Sequence, residues 1–165
     1  MTKKDNIYKE QRSHIEAFQF NQQVVEVFDN MIERSVPGYR HILENICLIA
    51  QESVQENSYV YDLGCSNGNL LALLTQALNT KSLCFKAIDN SPEMIKACQK
   101  KLQSKLKQSY SIKFECQNIE ETTIENASLV ILNFTLQFID PHKRNQLLLN
   151  IYNGLRPGGA LILSE

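Results

Sequence analysis

Short apolar segments alternate with amphipathic segments along most of this sequence, and no other feature limits the possible folds as strongly. Five segments have the length and composition of strands, and helical patterns lie between most of them. The predicted strands are Tyr59–Leu63, Ser82–Asn90, Ser111–Ile119, Ala127–Phe134 and Ala160–Ser164. This order predicts an α/β fold, a doubly wound parallel sheet with helices on both faces.

The helical segments begin and end at clear sequence signals. Ser91 and Asp140 are each suited to cap a helix, and a proline follows each of them at the first helical position. The predicted helices cover Gln22–Arg34, about Ile42–Ala50, Asn69–Leu78, Pro92 to about Lys107, and Pro141–Leu155. Residues 1–20 are polar and weakly periodic, and we expect them to form a flexible arm before a single domain over residues 21–165.

Charge and cysteine content exclude several classes of protein. The chain has 17 basic and 18 acidic residues, so no general attraction to nucleic acid or to a membrane surface is expected. Its five cysteines form no C-x-x-C pair, and its three histidines are scattered. We therefore predict no disulfide framework, no metal site and a reducing, cytoplasmic setting.

In a parallel sheet of this kind, ligands bind beyond the carboxyl ends of the strands. The first strand runs into the turn "DLGCSNG", in which Gly64 and Gly68 allow the backbone to approach a ligand closely. Asp89 ends the second strand, where a carboxylate can accept hydrogen bonds from both hydroxyls of a ribose. A plain tight turn and a helix cap are the alternatives, but the two features in this order favour a nucleoside site.

The residue between the glycines bears on which nucleoside is bound. A dinucleotide has a pyrophosphate that favours a full G-x-G-x-x-G turn, and Ser66 interrupts that pattern. S-adenosyl-L-methionine has no phosphate, and Asp62 is a carboxylate that can face its cationic amino-acid tail. The sequence therefore favours S-adenosyl-L-methionine over NAD.

Other residues near the strand ends are weaker candidates. Asn118 and Ile119 could offer an amide oxygen and a backbone N–H to adenine, although an ordinary turn asparagine explains the pattern equally well. Asn133 lies near the end of an apolar strand, between Leu132 and Phe134, where a ligand contact is favoured over a structural hydrogen-bond network. Tyr39 is either a core aromatic or a phenol on a lid formed by the N-terminal helices. Cys65 has no histidine nearby in sequence, so it is interpreted as a packing residue.

Several long blocks together resemble one enzyme family. They are "VFDNMIERSVPGY", "VYDLGCSNG", "IDNSPEMI", "ENASLVILNFTLQF" and "IYNGLRPGGALILSE", and they extend from about Val27 to Glu165. These blocks are similar to the carboxy-S-adenosyl-L-methionine synthases of the class I methyltransferase superfamily. The resemblance implies a Rossmann-like sheet with strand order 3-2-1-4-5 and N-terminal helices over the cleft.

The resemblance also implies an unusual reaction. Members of the family convert S-adenosyl-L-methionine and prephenate to carboxy-S-adenosyl-L-methionine and phenylpyruvate. The product supplies a second enzyme that modifies wobble uridine in tRNA, so the synthase itself need not bind nucleic acid. The alternatives are a conventional methyltransferase and a non-catalytic module that only binds S-adenosyl-L-methionine.

The family's ligand-binding positions transfer residue by residue, without a metal and without an assigned catalytic residue. They are Tyr39, Gly64, Asp89, Asn90, Asn118, Ile119 and Asn133. The family commonly has aspartate where Asn118 stands, and asparagine can still accept a hydrogen bond from an adenine amino group. Family members continue beyond Glu165 with further helices, the last two strands and an arginine that grips the carboxylate. We expect the last strand before Glu165 to be an open edge. The chain is then expected either to form a homodimer through that edge or to be marginally stable and turn over prephenate poorly without the arginine.

Overall fold

The computed structural model describes residues 22–79, 82–103 and 110–165. The predicted N-terminal arm, residues 1–20, lies outside the described residues. The described chain forms a five-stranded sheet with the order β3-β2-β1-β4-β5, and every strand pair is parallel. The predicted α/β class and strand order are therefore confirmed.

The strands and helices follow the predicted order closely. The strands are β1 (Tyr59–Leu63), β2 (Cys84–Asp89), β3 (Ser111–Cys116), β4 (Ala127–Asn133) and β5 (Leu155–Ser164). The helices are α1 (Gln22–Ser35), α2 (Tyr39–Ser53), α3 (Asn69–Ala77), α4 (Pro92–Gln103) and α5 (Pro141–Gly154). Short 3₁₀ turns cover Ile119–Glu121 and Leu136–Phe138.

Helices cover both faces of the sheet, because alternate residues of the central strands point in opposite directions. Val60 of β1 and Leu129 of β4 belong to a core beneath α2, α3 and α4. Their neighbours Tyr61 and Val130 belong to a second core beneath α5. β4 is buried on both faces over Ala127–Leu132, as its continuous apolar sequence predicts.

Both predicted helix caps are present. The Ser91 hydroxyl accepts a 3.2 Å hydrogen bond from the Met94 backbone N–H, and the Asp140 carboxylate accepts a 2.9 Å bond from the His142 backbone N–H. Each cap fixes where a helix starts after a strand or turn. The cap at Ser91 therefore also fixes the position of Asp89, which immediately precedes that helix.

Two strand boundaries differ from the prediction by three residues or more. β3 ends at Cys116, and Ile119 starts a 3₁₀ turn instead of ending the strand. β5 begins at Leu155, so the "RPGG" segment lies inside the strand, with a register irregularity between Ala127 and Leu129 of β4. Gly158, within this segment, has φ 79°, as glycines at strand irregularities often do. The Pro-Gly-Gly sequence alone does not distinguish an irregular strand from a true turn.

None of the helices in the described ranges combines the length and the hydropathy that crossing a bilayer requires.

Candidate functional site

A cavity of about 700 Å³ lies at the carboxyl ends of β1, β2 and β4, beneath α1 and α2. Every ligand-binding residue predicted from sequence lines it except Asn118. The lining consists of Phe28, Tyr39, Asp62, Gly64, Cys65, Ser66, Asn67, Asn69, Leu70, Asp89, Asn90, Ser91, Glu93, Ile119, Glu120, Asn133, Phe134, Thr135, Phe138 and Ile139. The carboxyl ends of β1, β2 and β4 thus meet at one cavity.

The turn after β1 has an unusual backbone. Gly64, Ser66 and Gly68 all have positive φ values, of 84°, 51° and 82°. At Gly64 a side chain is also excluded by space, because a Cβ would lie 2.6 Å from Thr135 Cγ2. Serine in the left-handed region is strained, and neighbouring contacts must hold it there. The turn is therefore held in one conformation, and it forms part of the cavity wall.

Asp89 provides one of the contacts that hold the turn. Its Oδ2 accepts a 2.9 Å hydrogen bond from the Ser66 backbone N–H, and its Oδ1 accepts one of 2.9 Å from the Ser91 backbone N–H. Burial raises the pKa of Asp89, and these two hydrogen bonds oppose that effect. Each oxygen retains a second lone pair, so the carboxylate can still accept from ligand hydroxyls.

Asp62, with 2% of its surface exposed, is more deeply buried than Asp89, which is 8% exposed. Its Oδ2 has no hydrogen-bond partner among the described residues. Burial, and then the negative charge of Asp89, raises the pKa of Asp62 to about 7. The group is therefore partly protonated near neutral pH, and a nearby positive charge would favour its ionised form.

Tyr39 and Asn133 both line the cavity. Tyr39 begins α2 and packs against Phe134, with ring centroids 6.4 Å apart. Burial raises the pKa of Tyr39 to about 12, so the phenol is a neutral hydrogen-bond donor. Asn133 Oδ1 accepts a 2.6 Å hydrogen bond from the Ser164 hydroxyl, which orients the amide at the end of β4.

Asn118 is exposed and does not line the cavity, whereas its neighbour Ile119 is 5% exposed and does. Asn118 Oδ1 accepts a 3.3 Å hydrogen bond from Asn90 Nδ2, and its own Nδ2 donates to Glu121. The amide thus lies one contact away from the cavity. Its predicted role at adenine stays a prediction.

The thiol of Cys65 is 4% exposed. Its pKa is raised well above the usual value by a hydrogen bond with Cys98 and by burial. A thiol that stays protonated is a poor nucleophile, which agrees with its interpretation as a packing residue.

Sequence reasoning missed several cavity residues that belong to distant segments. Phe28 comes from α1, Thr135 and Phe138 follow β4, and Asn67 lies inside the glycine turn. Only Asn67 could have been inferred locally, from its place between Gly64 and Gly68. The others reach the cavity through the way the helices pack on the sheet.

Comparison with known proteins agrees with this geometry. A profile described as "Methyltransferase domain" matches residues 60–159. The fold is similar to an S-adenosylmethionine-dependent methyltransferase from Clostridium acetobutylicum, with a TM-score of 0.62 and 23% identity over 84% of this chain and 55% of that one. It is also similar to magnesium protoporphyrin IX methyltransferase from Synechocystis, with a TM-score of 0.59 and 18% identity over 85% of this chain and 62% of that one.

Fold and cavity together define a class I S-adenosylmethionine-dependent enzyme of the methyltransferase superfamily. The carboxy-S-adenosyl-L-methionine synthase of Psychromonas ingrahamii is 48% identical to this chain over all 165 residues, which cover 68% of that protein. The synthase of Trichlorobacter lovleyi is 46% identical, again over the whole chain and 68% of the relative. The chain belongs to the carboxy-S-adenosyl-L-methionine synthase family, a family of transferases, and the resemblance seen in the sequence is confirmed.

Proposed function

We propose that this chain converts S-adenosyl-L-methionine and prephenate to carboxy-S-adenosyl-L-methionine and phenylpyruvate. The observation that carries the proposal is the position of Asp89 at the end of β2, in the cavity and bonded to the glycine turn. It supplies a fixed acceptor for a nucleoside, and membership of the synthase family supplies the reaction.

The adenosine part of the ligand is assigned to the β2 and β3 side of the cavity. Asp89 accepts hydrogen bonds from the ribose hydroxyls, and Asn90 lies beside it at the rim. Ile119, which is 5% exposed, offers an apolar surface for the adenine ring. Asn118 supports Asn90 through their 3.3 Å hydrogen bond.

The amino-acid part of the ligand is assigned to the β1 and β4 side. Asp62 favours a positive charge near it, because burial without a hydrogen-bond partner for Oδ2 makes its own negative charge costly. The ammonium group of the ligand is such a charge. Gly64, the Tyr39 phenol and the Asn133 amide also line the cavity and are assigned to the amino-acid part of the ligand.

The reaction balances without a metal or a redox partner. The positive sulfur of S-adenosyl-L-methionine acidifies its methyl group, which loses a proton to give an ylide. Prephenate loses its carboxyl group as carbon dioxide and its ring hydroxyl as it becomes aromatic. The ylide carbon bonds to the carbon dioxide, and the hydroxyl leaves as water with the methyl proton. The residues of the cavity hold the sulfonium and exclude bulk water from the ylide.

The product is proposed to serve a second, tRNA-modifying enzyme that places the carboxymethyl group on a wobble uridine. The balanced charge of the chain, 17 basic against 18 acidic residues, supports a protein that does not hold tRNA itself. The free cysteines of the described chain support a cytoplasmic reaction.

Mass spectrometry after incubation with S-adenosyl-L-methionine and prephenate tests the proposal. We expect phenylpyruvate and a nucleoside heavier by one carboxyl group. A reaction without prephenate is the control and is expected to give neither product. Asp89→Ala is expected to give less of both products at S-adenosyl-L-methionine concentrations below saturation, because it weakens binding of that substrate. Transfer of a bare methyl group to an acceptor would instead identify a conventional methyltransferase, and binding without turnover would identify a binding module.

We further propose that two copies of the chain pair along β5. This strand is the outermost of the sheet in the described chain, and Leu163 on it is 47% exposed. An apolar edge strand with unpaired backbone groups favours association with a second strand.

A further inference from the structure

A polar cluster that the sequence analysis did not anticipate lies between α1 and the glycine turn. Asp29 of α1 accepts hydrogen bonds at its Oδ1 from Asn67 Nδ2 at 2.7 Å and from Asn69 Nδ2 at 2.9 Å. Lys101 of α4 lies 3.4 Å from the same oxygen and donates a 2.5 Å hydrogen bond to Asn69 Oδ1. We call these four residues the Asp29 cluster. It joins α1, α4 and the beginning of α3.

The charged groups of Asp29 and Lys101 determine the orientation of the side-chain amides of Asn67 and Asn69. An ionised carboxylate only accepts hydrogen bonds, so the NH₂ groups of Asn67 and Asn69 must face Asp29. An ammonium only donates, so the oxygen of Asn69 must face Lys101. Asn67, which is 4% exposed, is then left with an Oδ1 that has no partner among the described residues. The Asn67 side chain is thus held by Asp29 alone.

Asn67 lies inside the strained turn that forms the cavity wall. It directly follows Ser66, whose φ is 51°, and directly precedes Gly68, whose φ is 82°. Asp89 holds the turn at Ser66 through the backbone, on the β2 side. Asp29 holds it at Asn67 through the side chain, on the α1 side. The turn is therefore fixed from two directions by two carboxylates. The sequence predicted Asp89 as a ribose acceptor, and it indicated no contact between either carboxylate and the turn.

The same contacts hold α1 over the cavity. Phe28, next to Asp29, is 6% exposed, lines the cavity and packs with Val24 and Met94. Met94 Sδ in turn lies 3.6 Å from the Ser66 hydroxyl, which donates to it. The docking of α1 and the shape of the turn therefore depend on each other.

The charge of Asp29 is well supported although the group is half-buried. Burial by itself would raise its pKa. The hydrogen bonds from Asn67 and Asn69 and the charge of Lys101 outweigh burial, and the pKa is lowered overall. Asp29 is therefore ionised at neutral pH, and both amides keep their orientation.

We propose that Asp29 is a positioning residue of the S-adenosyl-L-methionine site, holding the glycine turn through Asn67 and the start of α3 through Asn69. The inference rests on the proposed ligand, and it adds α1 to the parts of the chain that determine ligand affinity. Ligand binding and docking of α1 stabilise each other, because both favour the same conformation of the turn.

The test is the affinity of the full 165-residue chain for S-adenosyl-L-methionine, measured by calorimetry. We expect Asp29→Ala to weaken binding about tenfold, which corresponds to about 1.4 kcal/mol. Glu33→Ala is the matched control, because it removes the same charge from an exposed position on the same helix, and it is expected to bind like wild type. If Asp29→Ala does not fold, Asp29→Asn keeps the size of the side chain and is measured in its place.

A double-substitution cycle separates positioning from a general loss of stability. If Asp29 acts through Asn67, Asn67→Ala weakens binding in the wild type but has little further effect in Asp29→Ala. Hydrogen exchange of residues 22–35 is a second readout, and ligand is expected to slow it in the wild type but much less in Asp29→Ala. Equal affinity of wild type and Asp29→Ala, or fully additive effects of the Asp29 and Asn67 substitutions, would overturn this inference and leave the proposed function standing. No binding by the wild-type chain overturns the proposed function and this inference with it.

Discussion

The carboxylate of Asp89 accepts a 2.9 Å hydrogen bond from the backbone N–H of Ser66, 23 residues earlier in the chain. This contact joins the end of β2 to the turn that follows β1, so two neighbouring strand ends form one wall of the cavity. It also explains how a serine is held at a φ of 51°. The N–H of Ser66 is satisfied only while the turn keeps this shape, and the same carboxylate is the proposed ribose acceptor.

Replacing Asp89 with alanine tests that acceptor. We expect Asp89→Ala to lose about 1.5–3 kcal/mol of binding free energy for S-adenosyl-L-methionine, the usual contribution of hydrogen bonds to a charged group. Calorimetry with S-adenosyl-L-methionine measures the loss, and a parallel titration with NAD is expected to show no binding. Asp140→Ala is the control, because it removes the same group from the exposed cap of α5 and should leave ligand affinity unchanged. An unaltered affinity in Asp89→Ala would contradict the ribose assignment.

Gly38 and Gly64 have similar positive φ values but different surroundings. Substituting each with alanine therefore separates the cost of backbone strain from the cost of a steric collision. Gly38 has φ 75° and Gly64 has φ 84°, but a Cβ at Gly38 meets nothing within 4 Å, whereas one at Gly64 collides with Thr135. Gly38→Ala should cost about 1–2 kcal/mol of folding stability, from the left-handed backbone alone. Gly64→Ala should cost more and should also weaken ligand binding. Urea denaturation and calorimetry measure the two effects, and equal losses in the two variants would mean that Thr135 yields to the added methyl group.

The raised pKa of Asp62 predicts how stability varies with pH. Asp62 titrates near pH 7 in the folded chain and near about 3.9 when unfolded, so the folded chain binds more protons between these values. Its stabilising contribution is complete below about pH 4 and is lost as the pH rises through about 7. Asp89 is shifted in the same direction, while Tyr39 and Cys65 stay neutral over this range. Thermal unfolding between pH 4 and 8 should therefore show a falling stability.

Asp62→Asn should reduce the loss of stability between pH 4 and 8, because the amide does not titrate. In the wild type, ligand affinity is expected to change with pH in the opposite direction to stability. If the ammonium group faces Asp62, affinity for S-adenosyl-L-methionine increases as Asp62 ionises, and the increase disappears in Asp62→Asn. A pH profile of affinity that is the same in both chains would exclude Asp62 from the ammonium site.

The edge of the sheet predicts self-association. Leu163 on β5 is 47% exposed, and Leu163→Lys places a charge on that edge, which disfavours strand pairing. Sedimentation at several concentrations should show a dimer in the wild type and a shift toward monomer in Leu163→Lys. Ile49→Lys on α2 is the control, since Ile49 is similarly exposed, at 49%, but is not a residue of β5. A wild-type chain that is monomeric at every concentration would exclude pairing through β5.

The sequence predicted the parts of the site that lie directly after strands. Gly64 follows β1, Asp89 ends β2 and Asn133 ends β4, and all three line the cavity. The sequence could not indicate that the chain turns into a 3₁₀ segment after Asn118 and leaves its amide outside the cavity, and the predicted role of Asn118 at adenine stays a prediction. The residues that were missed, such as Phe28 and Thr135, lie in segments whose local pattern contains no information about the cavity.

The sequence by itself determined the alternation of strands and helices, the caps at Ser91 and Asp140, and the glycine turn after β1. Each of these depends on interactions between residues a few positions apart, which local propensity and side-chain chemistry dictate. Only the tertiary structure decided that Asp29 orients Asn67, that Thr135 closes on Gly64, and that Asp62 is left without a partner for one oxygen. These contacts join residues 38 or more positions apart or depend on burial, so they exist only after the sheet order brings the strand ends together.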